Sequence, residues 1–221
     1  MNQVCVIEGL GAVGKSKLVN CLGSKGLDVI KEISEEESNI ERIQMFSLDY
    51  LRSRAVNEWF IQKEVKRMYR AKNYKGIVFL DRCIYSQIAY NYAKDQLYGS
   101  AEVPFIFSRL EELENKGIGL LPPMIYLSAP VNYSMKKMRS RNKNVERRSI
   151  YNKKYGYTEE FFMFIKQTYD RIAKGLEGDS LKLSALQDLG DLTESVISWS
   201  GRILPSQKIK ISDIQTMLYE R

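Results

Sequence analysis

Gly9, Gly14, Lys15 and Ser16 stand in the order G-x-x-x-x-G-K-S, directly after the apolar run Val4-Cys5-Val6-Ile7 and before residues with helical spacing. Those types at that spacing are suited to holding phosphate. Glycines open φ values closed to other residues and leave room for phosphate oxygens. The backbone N–H groups of Gly9, Leu10, Gly11, Ala12, Val13 and Gly14, continued by Lys15, Ser16 and Lys17, face an anion with the positive end of a helix behind them. Lys15 is placed to reach the β- and γ-phosphates of a nucleoside triphosphate, and the Ser16 hydroxyl to ligate Mg²⁺.

A second group follows a second apolar run. Asp81 and Arg82 come after Ile77-Val78-Phe79-Leu80. An acidic residue at such a strand end can hold Mg²⁺ directly or through water, with Ser16 as the other protein ligand. Arg82 can clamp a phosphate or fix an acceptor. Glu32 ends the short run Asp28 to Lys31. It is either a base that takes the proton of an acceptor hydroxyl or the first member of an acidic surface loop that continues in Glu35-Glu36-Glu37. Trp59, Gln62 and Arg67 offer a ring, an amide and a guanidinium on one helix, the groups that stack on a nucleobase and read its edge; core packing is the competing reading for Trp59 and Arg67. Tyr90 and Tyr92, two apart on a helix, cannot share a face, so one of them is expected to face the cleft.

The chain has 221 residues and a net charge of +7, and it contains no histidine. His-based triads, His metal ligands and a His base are therefore excluded. The three cysteines, Cys5, Cys21 and Cys83, form no C-x-x-C pair and read as reduced thiols of a cytoplasmic protein. No apolar run approaches the ~20 residues that span a bilayer, and the start has no signal-peptide pattern, so no membrane partner is expected. The basicity is local. Residues 136–154 hold nine basic side chains, Arg139, Arg141, Arg147 and Arg148 among them, against Glu146 alone, so the rest of the chain is at −1. A lid closing over a triphosphate needs such arginines, and a solvated loop or a nucleic-acid surface are the other readings; the lid is preferred for its place after the fourth strand.

The elements that must position these residues alternate. Strands are predicted at 4–8, 28–31, 77–80, 124–128 and 180–184. Helices are predicted at 15–22, within 46–72 as one or two, through 86–92, at 108–116 with Ser108 as cap and Glu111 as its partner, at 131–141, at 158–176 capped by Thr158, and at 189–199. The stretch 95–107 reads as irregular. The order predicts an α/β fold, three layers deep, with a five-stranded parallel sheet and helices on both faces. Ligands in such sheets lie beyond the carboxyl ends of the strands, where the phosphate loop, Glu32 and Asp81-Arg82 all fall. One domain is expected over 1–204, with the lid at about 139–154 and a tail at 205–221 that carries a packed helix from Ser212 to Tyr219.

With these residues in hand, the chain resembles the thymidylate kinase and deoxynucleoside kinase superfamily of P-loop nucleotide kinases, thymidylate kinases most closely. The resemblance rests on Glu8-Gly9 and Gly14-Lys15-Ser16, and on Asp81-Arg82-x-x-x-Ser86-x-x-Ala89-Tyr90. It rests also on Ile125-Tyr126-Leu127-Ser128-Ala129-Pro130 ahead of the arginine-rich stretch, and on Phe161 to Ile172 with Tyr169; it covers about residues 3 to 200. The chain departs from thymidylate kinases at Gly11, where they usually carry an acid, and at Lys31-Glu32-Ile33, where they carry Arg-Glu-Pro. It departs from deoxynucleoside kinases at Ile33, after the glutamate that serves them as base, and at Asp81-Arg82-Cys83, where they tend to have Glu-Arg-Ser.

The resemblance implies a Mg²⁺-dependent kinase of nucleotide biosynthesis, moving the γ-phosphoryl of ATP. The acceptor expected first is a nucleoside monophosphate, bound by Glu32, Trp59, Arg67, Arg82 and Tyr90. The second is a nucleoside 5′-hydroxyl, with Glu32 as base. In either case Lys15, Asp81, Arg82, Glu32, Arg139, Arg141 and Arg147 carry the catalysis. A catalytically degenerate, nucleotide-gated binding protein is the alternative of another class. No nucleic-acid partner is expected, and a homodimer is left open.

Overall fold

The computed structural model describes residues 3–33, 50–142, 158–202 and 209–219. Five strands, β1 Gln3–Gly9, β2 Asp28–Ile30, β3 Ile77–Asp81, β4 Met124–Ser128 and β5 Ser180–Ser184, form one sheet in the order β2-β3-β1-β4-β5. Every pairing is parallel. Their continuous apolar runs follow from burial on both faces: Cys5, Val6 and Ile7 in β1, Val78, Phe79 and Leu80 in β3, and Met124, Ile125 and Tyr126 in β4 are wholly enclosed.

The helices are α1 Lys15–Ser24, α2 Tyr50–Ala71, α3 Ile84–Tyr98, α4 Glu102–Asn115, α5 Val131–Asn142, α6 Glu159–Gly175, α7 Leu189–Ser200 and α8 Ile211–Tyr219. α1 packs on α7 in one layer; α3 packs on α6 in the other, with α8 laid against α6 and α4. This is the three-layer architecture expected from the order of elements. Among the described residues no helix is long and apolar enough to cross a membrane.

Thr158 caps α6 as its position suggests, accepting from the Phe161 N–H at 3.2 Å. α4 departs from expectation. It begins at Glu102, six residues before Ser108, so the stretch read as irregular is the end of α3, a tight turn and the first turns of α4. Its cap comes from outside the local sequence: the Asp95 carboxylate, in the last turn of α3, accepts from the N–H groups of Glu102 and Val103, both at 2.8 Å. Pro104 then sits in a first turn, where a missing N–H costs nothing.

α2 is one helix, and it buries a stripe that apolar periodicity does not mark. Ala55 and Tyr69, which recur at helical spacing with the other apolar residues of the stretch, are exposed, whereas Ser53, Asn57, Glu64 and Arg67 are buried beside Phe60, Ile61 and Met68. Each of these polar residues has a partner. Asn57 and Asn91 of α3 exchange amide hydrogen bonds at 3.0 and 3.2 Å, and Asn57 also donates to Glu102 of α4 at 2.8 Å. The Lys94 ammonium donates to Ser53. This network ties α2, α3 and α4 into one body, and the lower end of the stripe reaches the carboxyl edge of the sheet.

Candidate active site

β1 delivers the chain into the phosphate loop. Gly9 has φ +145°, and a Cβ there would lie 2.5 Å from the Leu127 carbonyl oxygen of β4, so only glycine fits this exit. Ala12 at φ +61° and Gly14 at φ +104° complete the turn, and Gly14 caps α1 in the left-handed conformation. The loop is thus shaped to aim N–H groups at an anion ahead of the helix. Leu10, Gly11 and Val13 are buried beneath it, while Lys17 points to solvent.

Gly11, the position without the expected acid, has α5 above it. The Ser134 hydroxyl donates to its carbonyl at 2.5 Å, and a Cβ there would stand 2.8 Å from the Met138 sulfur. The helix that leads to the basic stretch therefore rests on the phosphate loop itself.

Lys15 is buried, and its ammonium donates back to the carbonyls of Gly9 (3.1 Å) and Leu10 (2.7 Å). Burial and the nearby Arg82 guanidinium push its pKa down to about 7, against the pull of Asp81, Glu32 and Glu8. The Ser16 hydroxyl donates to Asp81 Oδ2 at 2.7 Å. Asp81 is itself buried, and its Oδ1 has no hydrogen-bond partner among the described residues. A hydroxyl beside a carboxylate with a free oxygen suits Mg²⁺, a hard cation that keeps few protein ligands and takes the rest from phosphate and water. Among the described residues no cluster of three or more acidic or thiol side chains could hold a metal alone.

Next to this pair, Arg82 leaves β3 with φ +60°, a conformation side chains rarely adopt. Its Nε stands 3.3 Å from Glu32 Oε1, an ion pair without hydrogen-bond geometry. Its Nη1 donates to the Ser86 hydroxyl at 3.0 Å, and its guanidinium lies 5.9 Å from the centre of the Tyr90 ring. Ser86 passes the chain on to Glu8, donating to Oε2 at 2.7 Å. Glu8 also accepts from the Tyr169 hydroxyl at 3.0 Å and from the Cys83 N–H at 2.8 Å. Glu8 is fully enclosed in β1, and burial raises its pKa despite the opposing Arg82, Ser86, Cys83 and Lys15. Tyr169, on α6, is held in place by stacking on Tyr126 of β4. Arg82 is therefore oriented from below by a buried carboxylate and two hydroxyls.

Of the two tyrosines two apart on α3, Tyr90 is the one on the Arg82 side, packed edge-on to Phe161; Tyr92 turns to Tyr219 of α8. Trp59 is half-buried against its helix neighbours Phe60 and Lys63, with no described contact to Glu32 or Arg82. Arg67 lies beneath the cleft, its guanidinium turned onto backbone carbonyls at the ends of β2 and β3. Arg139 is exposed on α5; Arg141 is in the same helix, and Arg147 lies outside the described residues.

The site that emerges has a phosphate loop over β1, a hydroxyl–carboxylate pair for a cation beside it, and a glutamate–arginine pair over β2 and β3. The model of the family described as deoxynucleoside kinase matches residues 5–174, through the loop, the pair and α6. The chain belongs to the deoxynucleoside kinase family. As a member it is an ATP-dependent phosphotransferase, a kinase of the nucleoside type. The match favours the second of the two acceptors weighed from the sequence, the nucleoside, over the monophosphate placed first. No curated protein matched the chain.

Among solved structures it is similar to deoxyadenosine kinase from M. mycoides. The structure with the products dCMP and a flexible dCDP has TM-score 0.67 at 18% identity, covering 89% of this chain and 97% of that one. The dATP-bound structure has TM-score 0.64 at 17% identity, covering 89% and 98%. The dCTP-bound structure has 0.63 at 14%, covering 89% and 97%. At such identities the likeness carries the fold of the family.

Two parts of the site lay outside the sequence reading. Glu8 was noted only as the residue ahead of the loop, and its charged position in an apolar strand was the available signal. Glu64 had none, because nothing in the sequence sets it apart from the charged neighbours Lys63 and Lys66.

Proposed function

We propose that this kinase transfers the γ-phosphoryl group of ATP to the 5′-hydroxyl of a deoxynucleoside, with Glu32 as the base. One observation carries the reading: Glu32 and Arg82 stand 3.3 Å apart at adjacent strand ends, beside the Ser16–Asp81 pair. A hydroxyl acceptor must lose a proton as it attacks, and a carboxylate held by a guanidinium is a suitable receiver. A phosphate acceptor needs no base and instead needs cations around a dianion. Arg67, which would have supplied one, is committed to backbone carbonyls.

In this reading the loop N–H groups and Lys15 bind the donor phosphates, and Lys15 exchanges its two carbonyl partners for phosphate oxygens. Ser16 and Asp81 would hold Mg²⁺, which neutralises charge on the donor phosphates when bound. Glu32 orients the 5′-hydroxyl and takes its proton. Arg82, fixed by Ser86, pairs with Glu32 and faces the transferring group, while Tyr90 closes the acceptor side. Arg139, Arg141 and Arg147 would complete the neutralisation from the donor side. Deoxyadenosine kinase structures hold dATP, dCTP and dCMP; deoxyadenosine and deoxycytidine are accordingly the acceptors to try first.

The test is ADP release from ATP and Mg²⁺ across a panel of deoxynucleosides and their monophosphates. Turnover on a nucleoside and none on its monophosphate is expected. The reverse preference would overturn the hydroxyl reading.

A further inference from the structure

β2 is three residues long, and its ladder with β3 ends at Ile30↔Leu80. The next residues on each strand are Lys31 and Asp81, and the next again are Glu32 and Arg82. The hydrogen bonds between β2 and β3 therefore stop two residues short of the acceptor pair. On its other side β3 stays paired with β1 as far as Asp81, and the Arg82 N–H donates to the Ile7 carbonyl at 3.1 Å. Between β2 and β3 the ends are free to diverge. One side chain bridges them. Arg67 of α2, 4% exposed, places its guanidinium between the diverging ends. Its Nη2 donates to the carbonyl oxygens of Lys31 at 2.8 Å and Asp81 at 2.9 Å, with Ile30 at 3.5 Å. Its Nη1 donates to the carbonyl of Arg82 at 3.0 Å and to Glu64 Oε1 at 2.6 Å.

We propose that Arg67, seated by Glu64, is a positioning residue that sets the separation of Glu32 and Arg82 and so places the acceptor. This rests on the function proposed above. The guanidinium is a planar fork, and only such a fork can hold carbonyls on two strands at once. Its contacts fall on the residues that carry or immediately precede the pair; the strands below are held by their own ladder. The Arg82 peptide needs holding, because that residue keeps φ +60° with no glycine to ease it. The burial of a guanidinium beside a carboxylate costs desolvation that its four carbonyl partners help to offset. A clamp built for the fold alone has no reason to sit at the open end of the sheet.

The experiment is a double-mutant cycle between Arg67→Ala and Glu32→Gln, read in single-turnover phosphoryl transfer with the acceptor that the wild type uses best. The expected result is a loss of about 100-fold in rate from Arg67→Ala in the wild-type background, the order that a misplacement of about 1 Å brings. The KM for ATP stays put. In the Glu32→Gln background the same change costs less than about threefold, because Arg67 acts through Glu32. Added guanidinium restores part of the rate of Arg67→Ala. Equal losses in both backgrounds, or no loss in either, would overturn the proposal. Should Arg67→Ala not fold, Arg67→Lys replaces it in the cycle; it keeps the charge beside Glu64 and cannot span both strands. Wild-type turnover on monophosphates instead of nucleosides would overturn the hydroxyl reading while the cycle still tests the clamp on that acceptor. No turnover by the wild type on any acceptor overturns both.

Discussion

The two halves of the cleft are built in different ways. In the proposed reading the donor half is a single stretch, Gly9 to Ser16, in which the loop's own backbone would bind phosphate and the first turn of α1 would supply the field. The acceptor half is assembled from five distant places. Glu32 follows β2, Arg67 comes from α2, Arg82 follows β3, and the chain of hydroxyls beneath reaches Glu8 in β1 and Tyr169 in α6, 161 residues apart. A phosphate is gripped by any run of N–H groups that points the right way, so the donor half can be local. A base must be held at one distance from one hydroxyl, which takes buried supports from several elements.

That difference can be broken from the donor side first. Lys15→Ala removes the one cation inside the loop. It is expected to lower kcat by about 10²–10³-fold, as loss of a preorganised donor does, whatever the acceptor. The check is kcat with two different acceptors; a loss confined to one would mean that Lys15 belongs to the acceptor half.

The supports of the acceptor half should show smaller effects that fall on stability. Tyr169→Phe deletes one of the two hydroxyls donating to Glu8 Oε2 and leaves Ser86 in place. The expected cost is about 1–3 kcal/mol, read as a lower denaturant midpoint at unchanged m-value. An unchanged midpoint would mean that Glu8 is satisfied without Tyr169.

Smallest is a pH effect at the seat of Arg67. Burial raises the Glu64 pKa from 4.5 to about 7, against the Arg67 guanidinium and its hydrogen bond, with Glu8 and Glu32 adding to the rise. A carboxyl that binds its proton more tightly when folded stabilises the fold at pH below about 4.5, and that contribution is lost as pH rises through about 7. Between those values the wild type should lose Tm with rising pH relative to Glu64→Gln, which does not titrate. Parallel Tm curves for the two proteins would contradict the shift.

The same contrast explains what the sequence shows. The donor half is readable because its spacing is its geometry: strand, glycines, lysine and serine are contiguous. The sheet is readable too, since β1, β3 and β4, buried on both faces, are apolar runs, while the edge strand β5 shows only the alternation Ser-Leu-Lys-Leu-Ser. The start of α4 is hidden because its cap, Asp95, belongs to the preceding helix. The acceptor is misranked for a related reason. Asp81, Arg82, Ser86 and Tyr90 form one local stripe, and it marks the superfamily without telling a hydroxyl from a phosphate. What bears on that choice is where Arg67 spends its donors, and its partners lie on strands 14 to 37 residues away. Ser53, Asn57 and Glu64 are missed because polar residues at helical spacing read as a solvent face until three helices close on them, whereas Arg67 is open to a core reading from the sequence.

Glu32→Gln tests the central claim most directly. With a deoxynucleoside acceptor, single-turnover phosphoryl transfer is expected to slow by about 10²–10⁴-fold, the usual contribution of a general base. ATP affinity should change far less than the rate, because the donor phosphates are held by the loop and Glu32 reaches Lys15 only through its charge. Transfer at the wild-type rate would contradict the account, since Glu32 would then orient nothing and accept no proton.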